Sequence, residues 1–282
     1  MTGPAGSFAD RLAAAVERTG SALCVGLDPI PTSFPSGLSR DAAGARELCL
    51  RVIAATSPYA AAYKPNSACF EALGLPGAAL LLEVVAAARR HAPVILDGKR
   101  GDVGHTAQAY ADAAYRVAGA DACTVNPYAG HDAVAPFLDV PGRCGFVLCR
   151  TSNPSAGDLQ DLAVGPGEEA LHLAVARMAV AWDAAGPGGT TGLVAGATWP
   201  DELERVRARA PALPILVPGV GAQGGSLEAA ARAAAGPTGS APFLVTVSRG
   251  ITQASAGTDF AEAAAAAARE LAARLRRVAL GR

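Results

Sequence analysis

Apolar segments of a few residues recur eight times along the chain, each ending in polar, glycine or proline residues: 22–29, 61–66, 93–100, 122–128, 145–153, 192–198, 214–220 and 242–251. Between them lie stretches of helical composition, including 41–57, 75–91, 103–117, 168–185, 201–210 and 227–235. Strand and helix signals in alternation imply a parallel sheet covered by helices. Near-continuous apolar strands fit a sheet buried on both faces. Eight units in 282 residues predict an α/β fold, a single (β/α)8 TIM barrel over 1–282, with functional residues at the C-terminal ends of its strands. A doubly wound sheet also places ligands at strand ends, but the count of eight puts it second, and no linker-like composition divides the chain. An extra N-terminal helix is expected over 8–19, and the last helix, 259–278, closes the barrel.

Residues 97–102 read Asp-Gly-Lys-Arg-Gly-Asp, four charges in six positions of a chain that is 17% charged. They follow directly on an apolar run, so the charges sit where a buried strand ends. Unpaired buried charge is costly, and an array of Asp97, Lys99 and Asp102 answers that objection by opposing the charges to one another. Such an array suits a reaction in which one charge is lost and another appears. The bland reading of Asp102 is an N-cap for the helix beginning near Val103, which leaves Lys99 unexplained. Asp28 and Lys64 close strands one and two. Each has a plain structural reading as a turn former or a solvated strand end, but both face the rim that carries Asp97, which favours a polar network.

The segment 218–226, Pro-Gly-Val-Gly-Ala-Gln-Gly-Gly-Ser, follows strand seven and runs into a helix. Glycine-rich backbone can turn its N–H groups toward an anion, and the helix N-terminus adds a favourable dipole. Arg249 ends strand eight, and barrels commonly bind phosphate at the loops after strands seven and eight. A guanidinium there can grip phosphate bidentately. A phosphorylated ligand is therefore expected.

A net charge of −1 without basic or acidic tracts speaks against nucleic acid or an anionic membrane as partner. No run reaches the roughly 20 apolar residues of a membrane helix. Residues 1–10 lack a basic segment followed by an apolar one, so no secretory signal is expected. The six Cys read as thiols, and Cys24, Cys123 and Cys149 as small buried hydrophobes. Neither Cys144 and Cys149 nor the scattered His91, His105, His131 and His172 have metal-ligand spacing. No metal site is expected.

These residues together resemble the orotidine 5'-monophosphate decarboxylases, specifically their longer bacterial form. The resemblance is carried by Gly26-Leu-Asp-Pro29, Lys64-Pro-Asn66, the 97–102 motif followed by Thr106, Asn126-Pro-Tyr128, Ser152-Asn153, Gly196-Ala-Thr198, Pro218-Gly219 with Gln223, and Ser248-Arg-Gly-Ile251. The Asp-x-Lys-x-x-Asp motif alone is shared with sugar-phosphate decarboxylases and aldolases of the same superfamily. Lys64-Pro-Asn, Ser152-Asn and the Gln223 and Arg249 pair narrow the choice.

The resemblance implies a cytoplasmic carboxy-lyase that converts orotidine 5'-monophosphate to UMP and carbon dioxide, in pyrimidine synthesis, without a cofactor. Lys99, Asp97, Asp102 and Lys64 would be catalytic, Lys99 protonating C6. Asp28, Lys64, Thr106, Ser152, Pro218, Gln223 and Arg249 would bind substrate. Ser152 would read the pyrimidine edge, and Gln223 and Arg249 would hold phosphate. It further implies a homodimer with shared sites, Asp102 and Thr106 being donated by the neighbour. Two rivals stand beside this reading: a Mg2+-dependent sugar-phosphate enzyme of the same superfamily, and a barrel that binds nucleotides without catalysis.

Overall fold

The computed structural model describes residues 6–221, 223–237 and 241–280. Each apolar run forms a parallel strand: β1 (Leu23–Leu27), β2 (Ala62–Pro65), β3 (Ile95–Arg100), β4 (Ala122–Val125), β5 (Cys144–Arg150), β6 (Thr190–Ala195), β7 (Ile215–Val217) and β8 (Phe243–Val247). They pair in the order β2-β1-β8-β7-β6-β5-β4-β3. Isolated parallel bridges Tyr63–Val94 and Asn66–Asp97 join the two ends. The sheet is thus a nearly closed eight-stranded TIM barrel, and β2 to β3 is its thinnest seam.

Successive residues of a strand point to opposite faces, and that period explains both lining and site. The outer set, including Leu23, Val25, Val94, Val125, Val147, Val217 and Val245, packs under the helices in the larger core. The inner set comprises Cys24, Ala62, Ile95, Ala122, Cys144, Phe146, Val194, Leu216 and Leu244. The floor of this inner layer is closed by the expected extra helix, Phe8–Thr19, which buries Phe8 and Leu12 against it. Phe8 meets Phe146 edge to face at 5.8 Å between ring centroids, and burying such a ring contributes roughly 1.5–3 kcal/mol. The helix starts at a Ser7–Asp10 capping box and stops at Gly20, whose φ of 61° is left-handed. At this floor Asp121 accepts from Arg11, Arg89 and Arg143, stitching the helix to the barrel.

Two residues further along the same inner face stand Lys64 after Ala62, Asp97 after Ile95, Thr124 after Ala122 and Pro218 after Leu216. Four residues on stand Asp28 after Cys24 and Ser248 after Leu244. The polar rim is therefore the upward continuation of the apolar lining.

The outer helices follow the expected alternation, with local differences. The stretch expected at 103–117 is an α-helix, Gly104–Asp112, continued by a π turn, Ala113–Val117. The stretch expected from 168 begins at Leu171, after a small antiparallel ladder of Ala163–Val164 with Glu169–Ala170. Arg249 does not end β8. It opens a short helix, Arg249–Thr252, because Ser248 leaves the extended conformation. The closing helix is Phe260–Leu280. Ala222, in the glycine-rich segment, lies outside the described residues.

Candidate active site

At the β2 to β3 seam, Lys64 Nζ donates to Asp97 Oδ2 at 2.6 Å, and Lys99 Nζ donates to Asp97 Oδ1 at 2.6 Å. Lys64 and Asp97 are buried, whereas the Lys99 side chain is 50% exposed at the barrel mouth. Burial works against charge on Asp97, yet the Lys64 and Lys99 ammonium groups outweigh it and hold the carboxyl well below the usual carboxylate range. Burial likewise opposes charge on Lys64, but Asp97 and Asp28 together raise its pKa above the ordinary lysine value. Both groups are therefore ionised at neutral pH.

A bulge shapes this array. Leu96 pairs with Cys123 and Arg100 with Val125, so Asp97, Gly98 and Lys99 stand opposite the single residue Thr124. Lys99 takes φ 49° there, one of two left-handed non-glycine residues among those described. Thr124 Oγ1 donates to Asp97 Oδ1 at 2.9 Å and accepts from the Lys99 N–H at 3.0 Å.

Asp28 follows β1, and its Oδ2 accepts from Ser248 Oγ at 2.6 Å. Its Oδ1 is buried with no partner among the described residues, an acceptor open to a hydroxyl. Gly26 permits this closeness: a Cβ there would stand 2.6 Å from the Ser248 Cβ.

The loops after β5 and β7 converge on each other. A Cβ on Gly219 would lie 2.8 Å from the Ser152 Cβ and 3.0 Å from Gln223 Oε1, and its φ of 97° also favours glycine. Ser152 and Gln223 thus meet across a position that holds no side chain. The Ser152 loop is steadied by Gln160, whose Oε1 accepts from the Thr151 N–H at 2.8 Å. It is steadied also by buried Arg150, which donates to Asp161 at 2.9 Å and stacks over Trp199 at 4.6 Å. The glycine-rich turn folds on itself through Gly225 N–H to Gly219 O at 3.1 Å and Gly221 N–H to Gly225 O at 3.0 Å. Pro218 enters this turn, its carbonyl accepting from Ala197 N–H at 2.8 Å. Arg249 is exposed next to Ser248, and no residue among those described forms an ion pair with it.

The geometry redraws the array expected around Lys99. Its shared carboxylate is Asp97, and the second cation is Lys64 from the neighbouring strand. Asp102 stands outside: its Oδ1 accepts from the next N–H, that of Val103, at 2.7 Å. Nor does it cap the helix as the bland reading required, since the N-cap residue is Val103 and no side chain bonds there. Thr106, on the same helix, is likewise not joined to the network. Sequence reading missed Thr124 as a partner of Asp97 and Lys99, and Ser248 as the partner of Asp28. The available signal was a hydroxyl on the inward parity of an otherwise apolar strand.

All six cysteines are free, and burial pushes the thiols of Cys24, Cys123 and Cys149 up to about 12. Among the described residues, no three His, Cys, Asp or Glu side chains gather as a metal site, and no helix is long and apolar enough to cross a membrane.

The family model described as "Orotidine 5'-phosphate decarboxylase / HUMPS family" matches residues 21–267. A Variovorax paradoxus protein described as orotidine 5'-phosphate decarboxylase is 48% identical over 269 residues, spanning 93% of this chain and 96% of its own length. Among solved structures, Leishmania donovani OMP decarboxylase aligns with TM-score 0.82 and 43% identity over 98% of this chain and 99% of that one. Leishmania donovani UMP synthase aligns with TM-score 0.85 and 46% identity over 96% of this chain but 56% of that longer one.

Proposed function

The chain belongs to the orotidine 5'-phosphate decarboxylase / HUMPS family, and we propose that it converts orotidine 5'-monophosphate to UMP and carbon dioxide in pyrimidine synthesis, using no metal or organic cofactor. The observation that carries this reading is the pair of ammonium groups sharing ionised Asp97, with Lys99 turned to the open mouth.

In this reaction the bond from C6 to the carboxylate breaks and its electron pair stays on C6. That pair lies in the ring plane, where the π system delocalises it poorly, so a nearby cation must stabilise it. Lys99 Nζ then delivers a proton to C6, leaving UMP, and regains one from water. Asp97 would face the substrate carboxylate, so departure of carbon dioxide relieves a like-charge contact. Asp28 Oδ1, without a partner among the described residues, suits a ribose hydroxyl, with Lys64 beside it. Ser152 would meet the pyrimidine edge, and Pro218, Gln223 and Arg249 the phosphate end. Phosphate binding remote from C6 can draw the 219–225 turn closed and so contribute to the chemical step.

The proposal includes a cytoplasmic homodimer in which Asp102 and Thr106 complete the other subunit's site. Its support is that both stand outside this chain's own network, Asp102 directly before Val103, which exposes 62% of its surface. The test is loss of orotidine 5'-monophosphate absorbance on adding purified protein treated exhaustively with EDTA. Full turnover is expected. Abolition by EDTA with rescue by Mg2+ moves the assignment to a sugar-phosphate enzyme, and binding without turnover to a nucleotide-binding barrel.

A further inference from the structure

Three consecutive residues of β3 stand opposite Thr124, so the regular ladder offers the Lys99 N–H no backbone acceptor there. An amide left unpaired in this part-buried position carries a cost, and a left-handed non-glycine residue adds strain of order 1–3 kcal/mol. Both penalties fall on the residue that must hold an ammonium in place. The Thr124 hydroxyl answers the first directly, because it accepts the Lys99 N–H at 3.0 Å. Its one proton goes to Asp97 Oδ1 at 2.9 Å, the same oxygen that receives Lys99 Nζ at 2.6 Å.

The geometry points to Thr124 as a positioning residue for the decarboxylation, its hydroxyl tying the Lys99 backbone and the Asp97 carboxylate into one rigid unit. This inference rests on the reading of Lys99 as proton donor. The relay runs in one direction, from Lys99 N–H to the hydroxyl oxygen and from the hydroxyl proton to Asp97. Ionised Asp97 can only accept, which fixes the hydroxyl rotor, and the hydroxyl in turn fixes how the carboxylate plane is shared between Lys64 and Lys99. Without it, that plane would be held by two flexible lysine side chains alone, and the left-handed turn would lose its side-chain acceptor. Thr124 is almost fully buried, and its branched carbon restricts the side chain to few rotamers. It touches no reacting atom, so its effect should fall on the chemical step and not on nucleotide binding.

Thr124→Val removes the hydroxyl and keeps the branch, whereas Thr124→Ser keeps the hydroxyl. In Val, kcat should fall at least about tenfold, because small misplacements of a reacting group have such effects. KM and UMP affinity should change less than about threefold, the signature of an interaction that acts in the transition state. Ser should retain most of the wild-type kcat. Amide hydrogen exchange at Lys99 should accelerate in Val and not in Ser. Val with at least half the wild-type kcat and an unchanged Lys99 amide overturns the proposal, as does Ser falling as far as Val. Should Val fail to fold, Ala against Ser makes the same comparison, since those two differ by the hydroxyl alone. A wild-type protein inert toward orotidine 5'-monophosphate overturns the decarboxylase reading instead, and the exchange at Lys99 then still decides whether Thr124 holds that backbone.

Discussion

Lys64 reaches Asp97 across the seam that closes the barrel, its Nζ 2.6 Å from Oδ2. Backbone pairing between β2 and β3 is limited there to isolated bridges, so this ion pair does in side chains part of what the ladder does elsewhere. Charge array and barrel closure are consequently linked.

Asp97→Asn should lower stability by roughly 3 kcal/mol at neutral pH, since it leaves the buried Lys64 ammonium without its nearest anion. The sign with pH follows from the depressed Asp97 pKa. A carboxyl held below its unfolded value of about 3.9 stabilises the fold above that pH, and the contribution is lost as pH falls through and below it. Lys64, raised above its usual range, contributes fully below about 10.4 and loses that contribution only in stronger base. Urea melts of wild type and variant should therefore differ most between about pH 5 and 9 and draw closer only as pH falls below about 4. A gap that widens on acidification contradicts this account.

Lys99→Ala should remove nearly all turnover, because it deletes both the balancing cation and the proton donor. UMP binding, measured by titration calorimetry, should survive, since Asp28, Gln223 and Arg249, assigned to ribose and phosphate, stand in the segments after β1, β7 and β8. Retention of more than about a tenth of wild-type turnover would show that another group supplies the proton.

Arg249→Ala should weaken recognition of the nucleotide by roughly 1.5–3 kcal/mol, the worth of a charge-assisted contact. The loss should be largely absent with orotidine, which lacks the phosphate. Equal damage to kcat/KM for both substrates would assign Arg249 to the fold or to the chemistry.

Mixing two inactive proteins tests the shared site. A Lys99→Ala chain paired with an Asp102→Ala chain makes one site with both lesions and one with neither, provided that Asp102 acts in its neighbour. Random re-pairing makes about half the dimers mixed, so roughly a quarter of wild-type activity should return in a two-fold dimer. Mixed dimers confirmed by mass spectrometry, yet without activity, would confine Asp102 to its own chain.

The sequence by itself determined the barrel and the height at which the site sits. Strands buried on both faces must be apolar through their length, so eight runs marked eight strands. The period of two then carried the inward face from Cys24 to Asp28, from Ala62 to Lys64 and from Ile95 to Asp97, because side chains in a strand alternate whatever the rest of the fold does. Which residues meet was decided by tertiary structure. Proximity along the chain suggested Asp102 as a partner of Lys99, but closure of the sheet brought Lys64 from 33 residues away onto Asp97. Ser248 came to Asp28 across 220 residues because β8 returns beside β1. Thr124 had no local signature beyond a hydroxyl in an apolar strand. Its role arises from a bulge in the neighbouring strand, and local propensity disfavours the left-handed Lys99 within it. Such a conformation persists only where surrounding contacts over-determine it, and here those contacts come from β2 and β4, which no reading of β3 alone contains.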